Sequence, residues 1–164
     1  MFGQITGRTN VSTAVNPFGA PRRMRNIIGT TKDKIIVYAD WKSQEAVIQG
    51  ALSNDPNIKK GLDTGDIYLS TAKLAKAVPE SGIRKHFEDE RELYKQTYLA
   101  IGYGQTAYGL KNKLDISLAE ASYLLPKLKR VYPTYFKWIV QHIKYYVTRV
   151  YFEKIFGCRF TYFK

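Results

Sequence analysis

The chain has 164 residues, 45% of them hydrophobic and 14% aromatic, which supports one folded domain and argues against wholesale disorder. Lysine and arginine number 26 against 14 aspartate and glutamate, so the formal net charge is +12. This charge favours nucleic acid as a partner, although a generally basic, solvated surface would carry the same charge.

Several classes of protein are disfavoured by what the sequence lacks. No apolar run approaches the ~18–20 residues that a membrane span needs, and residues 1–10 have no signal-peptide pattern. The one cysteine, Cys158, excludes a disulfide framework and a cysteine metal site within the chain. We therefore expect a reducing, cytoplasmic location and no membrane partner.

The predicted elements begin after an irregular, basic stretch over residues 1–33, which glycines and prolines interrupt. The apolar, largely β-branched run at residues 35–39 predicts a buried strand that ends at Asp40. A helix is predicted over residues 43–52, and Asn54-Asp55-Pro56 ends it.

Helices dominate the remainder of the chain, and two strands end it. Four more helices are predicted: residues 67–77 after an Asp66 N-cap, residues 88–102, residues 117–131 with a Ser117/Glu120 capping box, and a last helix from Pro133 to Thr148. Residues 150–156 and 159–163 predict a hairpin across Gly157. The predicted fold class is α+β, with many helices and few antiparallel strands.

Asp40 is the first candidate for chemistry, because it follows a predicted strand and precedes a helix. Rigid elements on both sides would hold such a carboxylate in place, as Mg²⁺ in phosphoryl transfer requires. An aspartate before a helix is also a common N-cap. Glu45 is equally an acid that is favourably placed near a helix N-terminus, so metal binding and helix capping both stay open.

A stronger pattern lies on the helix at residues 88–102, where Arg91, Lys95, Leu99 and Tyr103 recur at four-residue spacing. Each step turns the helix by 400°, a drift of only ~40°, so the four side chains share one broad face. Cations followed by apolar and aromatic groups suit the phosphates, sugar and base of a nucleoside triphosphate. Gly104 lets a base or backbone approach closely. The alternative is an amphipathic helix whose cations snorkel to solvent.

Taken together, these segments resemble family A DNA polymerases, the DNA polymerase I-like group. The hexapeptide Asp40-Trp41-Lys42-Ser43-Gln44-Glu45 is similar to motif A of that family. The resemblance implies that Asp40 is a ligand of both catalytic Mg²⁺ ions and that the Trp41 carbonyl is a second-metal ligand. It also implies that Glu45 is the steric gate that excludes a ribose 2′-hydroxyl.

The face from Arg91 to Tyr103, followed by Gly104, is similar to the fingers helix of the family. The resemblance implies that Arg91 and Lys95 hold the triphosphate, with Lys95 also acting in catalysis. It places Leu99 at the nucleotide, and Tyr103 and Gly104 next to the templating base pair. Leu99 replaces the usual phenylalanine or tyrosine, as in bacteriophage polymerases.

Further segments, in three sets, follow the order of the family, so the resemblance runs from about residue 6 to residue 159. Thr6-Gly7-Arg8 is similar to the segment whose arginine contacts the primer terminus and the minor groove. Gly65-Asp66-Ile67-Tyr68 resembles the segment with a phosphate-contacting histidine, and Tyr68 takes the histidine's place. The third set is Tyr132-Pro133 and Phe156-Gly157-Cys158-Arg159.

The resemblance implies a partial polymerase domain, palm-like over residues 1–70 and 149–164 and fingers-like over 71–148, with primer–template DNA and deoxynucleoside triphosphates as partners. The second carboxylate motif of the family, His-Asp-Glu, is missing, because neither His86 nor His142 is followed by Asp-Glu. The two-metal site would then be incomplete. We expect a polymerase fragment that is inactive alone and is complemented by a second polypeptide, or a non-catalytic nucleic-acid-binding remnant of the same fold.

Overall fold

The structure, a computed structural model, describes residues 22–37, 39–149, 151–153 and 159–161. The chain divides after Asp40 into two compact units. The described part of the first unit contains one 3-10 turn, Arg22–Ile27. The second contains seven described α-helices: α1 Gln44–Ser53, α2 Pro56–Asp63, α3 Ile67–Leu74, α4 Glu88–Gly102, α5 Ala107–Leu114, α6 Leu118–Val131 and α7 Pro133–Val147.

Most of these helices begin at a polar residue that satisfies the first backbone amides. The side chain of Asp55 accepts hydrogen bonds from the Asn57 and Ile58 amides at the start of α2. Asp66 accepts from the Leu69 amide at α3, as predicted. At α6, Ser117 and Glu120 form the predicted capping box. The helix boundaries therefore follow from local hydrogen bonding that the sequence encodes.

Helix α4 lies at the centre of the helical body, where it packs against α3, α5 and α6, while α1 packs against α2 and α7. Three tyrosines, Tyr68, Tyr98 and Tyr132, pack in a row beside α4. Tyr98 makes edge-to-face contacts with Tyr68 at 6.0 Å and with Tyr132 at 5.5 Å between ring centroids. The Tyr132 hydroxyl lies 2.6 Å from the Thr71 hydroxyl. Each aromatic pair stabilises the fold by about 0.5–1.5 kcal/mol beyond the effect of its buried area, so these contacts help to hold α3, α4 and the end of α6 together.

The predicted α+β fold class, with a partial palm of antiparallel strands, is wrong for the described residues. The segment at residues 35–37, predicted to be a buried strand, is irregular there and 60–84% exposed. A strand needs a hydrogen-bonding neighbour, and none of the described residues pairs with this segment. The predicted hairpin is confirmed as a three-residue antiparallel ladder between β1, Tyr151–Glu153, and β2, Arg159–Thr161. The helical body agrees with the helical, fingers-like part of the prediction.

Five of the seven helices were predicted, and α2 and α5 were missed. Pro56 indicated the end of a helix, but it occupies the first helical position of α2, where its missing N–H costs no hydrogen bond. Helix α5 has eight residues with a glycine inside, too few for a clear apolar period. In the parts of the chain that the structure describes, no helix is long and apolar enough to cross a membrane.

Candidate functional site

The predicted face of α4 is present, and its exposure changes along the helix. The Arg91 side chain is 11% exposed and the Lys95 side chain 37% exposed. One and two turns further on, Leu99 is half-buried and Tyr103 is exposed at the C-cap. This face is therefore neither a core face nor a fully solvated one.

Arg91 is held by Asp66 at the start of α3. Its Nε donates to Asp66 Oδ2 at 2.6 Å, while Asp66 Oδ1 accepts from the Leu69 amide at 3.2 Å. Burial raises the pKa of the Asp66 carboxyl, but the hydrogen bonds from Arg91 and Leu69 outweigh it and leave the pKa below its ordinary 3.8. The carboxylate therefore stays ionised and paired at neutral pH.

Tyr68 lies beside Arg91. The guanidinium carbon of Arg91 lies 5.6 Å from the centroid of the Tyr68 ring, within the range of a cation–π contact. Burial raises the pKa of the Tyr68 phenol. The tyrosine that takes the place of the family's histidine therefore contacts one of the two predicted phosphate-binding cations, and its own role at the nucleotide stays a prediction.

A cleft of about 170 Å³ lies between α1 and α4. Six residues line it: Glu45, Ile48 and Gln49 from α1, and Leu99, Gly102 and Tyr103 from α4 and its C-cap. The Tyr103 hydroxyl donates to Glu45 Oε1 at 3.3 Å across the cleft. Whole-ligand pockets measure about 300–1,000 Å³, so this cleft can take one part of a ligand, such as a sugar ring.

Gly102 lies where α4 faces Gln49 of α1 across the cleft. A Cβ at position 102 would lie 2.7 Å from Gln49 Nε2, the far end of a flexible side chain. A small side chain at this position would therefore displace the Gln49 amide.

Lys95 is paired less firmly than Arg91. Its ammonium lies 3.1 Å from Glu92 Oε2 one turn earlier on the same helix. Partly exposed pairs of this kind contribute only ~0.2–1 kcal/mol. The Lys95 ammonium can therefore leave Glu92 for a stronger anion at little cost.

Asp40 and Trp41, the predicted metal ligands, are both exposed; Asp40 belongs to the first unit and Trp41 to the second. Among the residues that the structure describes, no group of three or more His, Cys, Asp and Glu side chains could hold a metal ion. The predicted roles of Asp40 and Trp41 in an incomplete two-metal site stay predictions.

Arg8 and Gly104 were both predicted to contact DNA, and the structure describes only Gly104. Arg8 lies outside the described residues. Gly104 follows α4 with a left-handed backbone, φ 79°, and a Cβ there would meet no neighbour within 4 Å. The open space at Gly104 is compatible with the close approach that the sequence predicted.

Several residues of this site were not identified from the sequence. Asp66 was predicted as an N-cap but not as the partner of Arg91, 25 positions away. Ile48 and Gln49 lie three and four residues after Glu45, so helical spacing would have placed them on the same face.

Comparison with known proteins gives consistent matches. Residues 10–164 match the family model described as DNA polymerase family A. DNA polymerase I of Rhizobium leguminosarum is 27% identical over 142 residues, which cover 86% of this chain and 14% of that protein. The thermostable DNA polymerase I of Thermus filiformis is 25% identical over 139 residues, which cover 84% and 16%. The chain thus spans less than a fifth of the length of these curated relatives.

The fold is similar to a solved structure, the POL domain of Pol1 from M. smegmatis in complex with DNA primer-template and dNTP. The TM-score is 0.63 at 24% sequence identity, and the match covers 74% of this chain and 21% of that one. At this identity, the likeness establishes the fold alone.

Proposed function

The chain belongs to DNA polymerase family A, and on that premise we propose that its helical body binds a deoxynucleoside triphosphate beside primer–template DNA for template-directed synthesis. The observation that carries this proposal is the arrangement along α4. Arg91 and Lys95 lie at one end of a face whose other end, Leu99 and Tyr103, lines a cleft with Glu45. Cations and a small cleft are thus held in the order of phosphates, sugar and base.

The phosphates would bind at Arg91 and Lys95. An arginine guanidinium offers paired donors that match phosphate oxygens, and partial burial of Arg91 strengthens its attraction to an anion. Lys95 adds a mobile point charge one turn away, and in the proposed function it also assists catalysis. The ring of Tyr68 lies against the Arg91 guanidinium and would help to hold it in place. The two cations together would offset about half of the triphosphate charge, which is about −4 at neutral pH.

The sugar would occupy the cleft. Glu45, held by the Tyr103 hydroxyl, would block a ribose 2′-hydroxyl and so favour a deoxyribose. Leu99 would contact the sugar from the opposite wall. A leucine offers no hydroxyl or ring at this place, which is the basis for the predicted bacteriophage-like variant.

DNA would be attracted by the net charge of +12. Arg8 would contact the primer terminus, and Tyr103 with Gly104 would lie by the templating base pair. In the domain division that the resemblance implies, Arg8 belongs to the palm-like part, and Tyr103 and Gly104 belong to the fingers-like helices. DNA affinity should fall steeply as the salt concentration rises.

Mg²⁺ is the cofactor that this function implies, and Asp40 with the Trp41 carbonyl would supply its ligands. Among the residues that the structure describes, no three His, Cys, Asp or Glu side chains come together as a metal site. We expect the 1–164 chain to extend no primer by itself, and a complementing polypeptide to be needed for synthesis.

The test is a pair of titrations, with a deoxynucleoside triphosphate and with primer–template DNA. Arg91→Ala should weaken triphosphate binding by more than about tenfold and Lys95→Ala by several-fold, with DNA affinity changed less than about twofold. Lys129→Ala, an exposed lysine of α6, is the matched control for lost charge. Equal loss of both ligands in the Arg91 variant would contradict the assigned role.

A second outcome separates the two candidate functions. Salt-dependent binding of DNA with no triphosphate binding by the unmodified chain would favour the non-catalytic nucleic-acid-binding remnant. A primer-extension assay with Mg²⁺ and four deoxynucleotides tests the expected inactivity, and robust extension by the pure chain would refute it.

A further inference from the structure

We infer that Asp66 is a positioning residue for triphosphate binding: it holds the Nε edge of the Arg91 guanidinium and turns the terminal nitrogens toward the phosphates. This inference rests on the proposed function. Asp66 is not proposed to touch the ligand, and it acts through Arg91.

The two carboxylate oxygens of Asp66 have different partners. Oδ1 accepts from the Leu69 amide at the start of α3, and Oδ2 accepts from Arg91 Nε on α4. Any rotation of the carboxylate other than the equivalent half-turn breaks a contact, because each oxygen is already used. The helix cap therefore fixes the orientation of the carboxylate, and the carboxylate fixes the edge of the guanidinium that it binds.

The remaining donors of Arg91 lie on its two terminal nitrogens. Nη1 is 3.8 Å from Glu88 Oε1 and 4.0 Å from Glu92 Oε2, beyond hydrogen-bonding distance. The Tyr68 ring lies against the guanidinium at 5.6 Å. One edge and one face of Arg91 are thus set by the protein. Within the described ranges its terminal nitrogens make no hydrogen bond, although Glu88 and Glu92 lie within ion-pair distance, so a forked pair of donors can bind an anion such as a phosphate.

Removing the charge of Asp66 separates two explanations by the sign of the effect. If the carboxylate merely repels the phosphates, Asp66→Asn binds triphosphate more tightly. If it positions Arg91, the same change weakens binding. The asparagine oxygen can retain the Leu69 cap, but its amide nitrogen then faces the Nε–H of Arg91, donor against donor. Arg91 would leave the orientation that presents its terminal nitrogens.

The experiment measures dATP binding by calorimetry with the 1–164 chain at fixed ionic strength. We expect Asp66→Asn to raise the dissociation constant by about fivefold, because a charge-assisted contact that orients Arg91 is lost. Asp63→Asn, which removes an exposed carboxylate three residues earlier, is the matched control and should change it less than about twofold. Equal or tighter binding by Asp66→Asn would overturn the inference.

A second background distinguishes positioning from a general structural effect. In an Arg91→Lys chain there is no guanidinium edge to orient, so Asp66→Asn should change the dissociation constant less than about twofold. The same loss in both backgrounds would show that Asp66 acts only through the fold. If Asp66→Asn does not fold, Asp66→Ser retains a cap acceptor and replaces it. If the unmodified chain binds no dATP, the proposed function fails and the inference fails with it.

Discussion

The N-terminal ends of α2 and α3 are built alike and serve different purposes. Each begins at an aspartate whose Oδ1 caps its own helix and whose Oδ2 reaches an element far along the chain. Asp55 Oδ2 accepts from the Tyr135 amide at 2.9 Å, and Asp55 is fully buried. Asp66 Oδ2 accepts from the Arg91 guanidinium, and its side chain is 22% exposed.

The difference lies in the partner and in the access of water. A backbone amide in the core has no other role, so Asp55 serves as a structural joint between α2 and α7. The Arg91 guanidinium lies at a partly exposed surface and has further N–H donors beside Nε. Asp66 can therefore stabilise the fold and also orient Arg91 for binding. One sequence signal, an aspartate before a helix, therefore has two outcomes that depend on its tertiary neighbour.

Asp55→Ala is the strongest test of this comparison. It removes a buried acceptor and leaves three backbone amides without their partner, at a cost of about 3 kcal/mol in the free energy of unfolding. Urea unfolding followed by circular dichroism measures it. The triphosphate affinity of the folded fraction should not change. A cost below that of Asp66→Ala would refute the distinction.

Asp66→Ala should lower the free energy of unfolding by about 1–2 kcal/mol, because it removes one cap and one partly screened ion pair. The same urea series gives the value. Its larger consequence should be on dATP affinity. Full affinity in this variant would mean that α3 plays no part in the site.

Thr106→Ala supplies the reference for a cap that lies at the surface. Thr106 accepts one hydrogen bond, from the Gly109 amide at 3.3 Å, and both lie near solvent. We expect a loss of about 0.5–1 kcal/mol in the free energy of unfolding. If this loss matched that of Asp55→Ala, the hydrogen bond from the Tyr135 amide to Asp55 Oδ2 would contribute nothing.

The pH dependence should give the smallest effect. The folded-state pKa of Asp66 is lowered, so its contribution to stability is present above the unfolded value of 3.8 and is lost as the pH falls through the lower folded value. The difference in unfolding free energy between the unmodified chain and Asp66→Asn should be constant from neutral pH to about pH 5 and should shrink below pH 4. Glu88 and Glu92 are present in both chains, so their titration cancels. A constant difference down to pH 2 would contradict the ion pair.

Much of the helical body follows from local sequence. The Ser117/Glu120 box, the Asp66 cap and Pro133 in the first turn of α7 act within four residues, so they can be recognised without a fold. The strand at residues 35–37 was wrongly predicted because a β-branched run satisfies propensity but not pairing. Pairing is a property of the neighbour, which propensity does not describe.

The candidate site was partly predictable for the same reason. Arg91, Lys95, Leu99 and Tyr103 share one helix, so four-residue spacing predicts their common face. The partners of these residues lie on other helices, and helical spacing does not predict them. Asp66 and Glu45 lie 25 and 58 positions from the groups they bind, Arg91 and Tyr103 respectively. The roles predicted for Arg8, Asp40 and Trp41 stay predictions.

The sequence by itself determined the family membership, the charge, five of the helices and the order of residues along α4. These features depend on residue identity, or on hydrogen bonds and spacings of a few residues, which propagate without long-range contacts. Only the tertiary structure decided which aspartate became a structural joint and which became the partner of Arg91. Burial and pairing are set when distant helices pack, because a carboxylate's energy depends on the donors and the water around it.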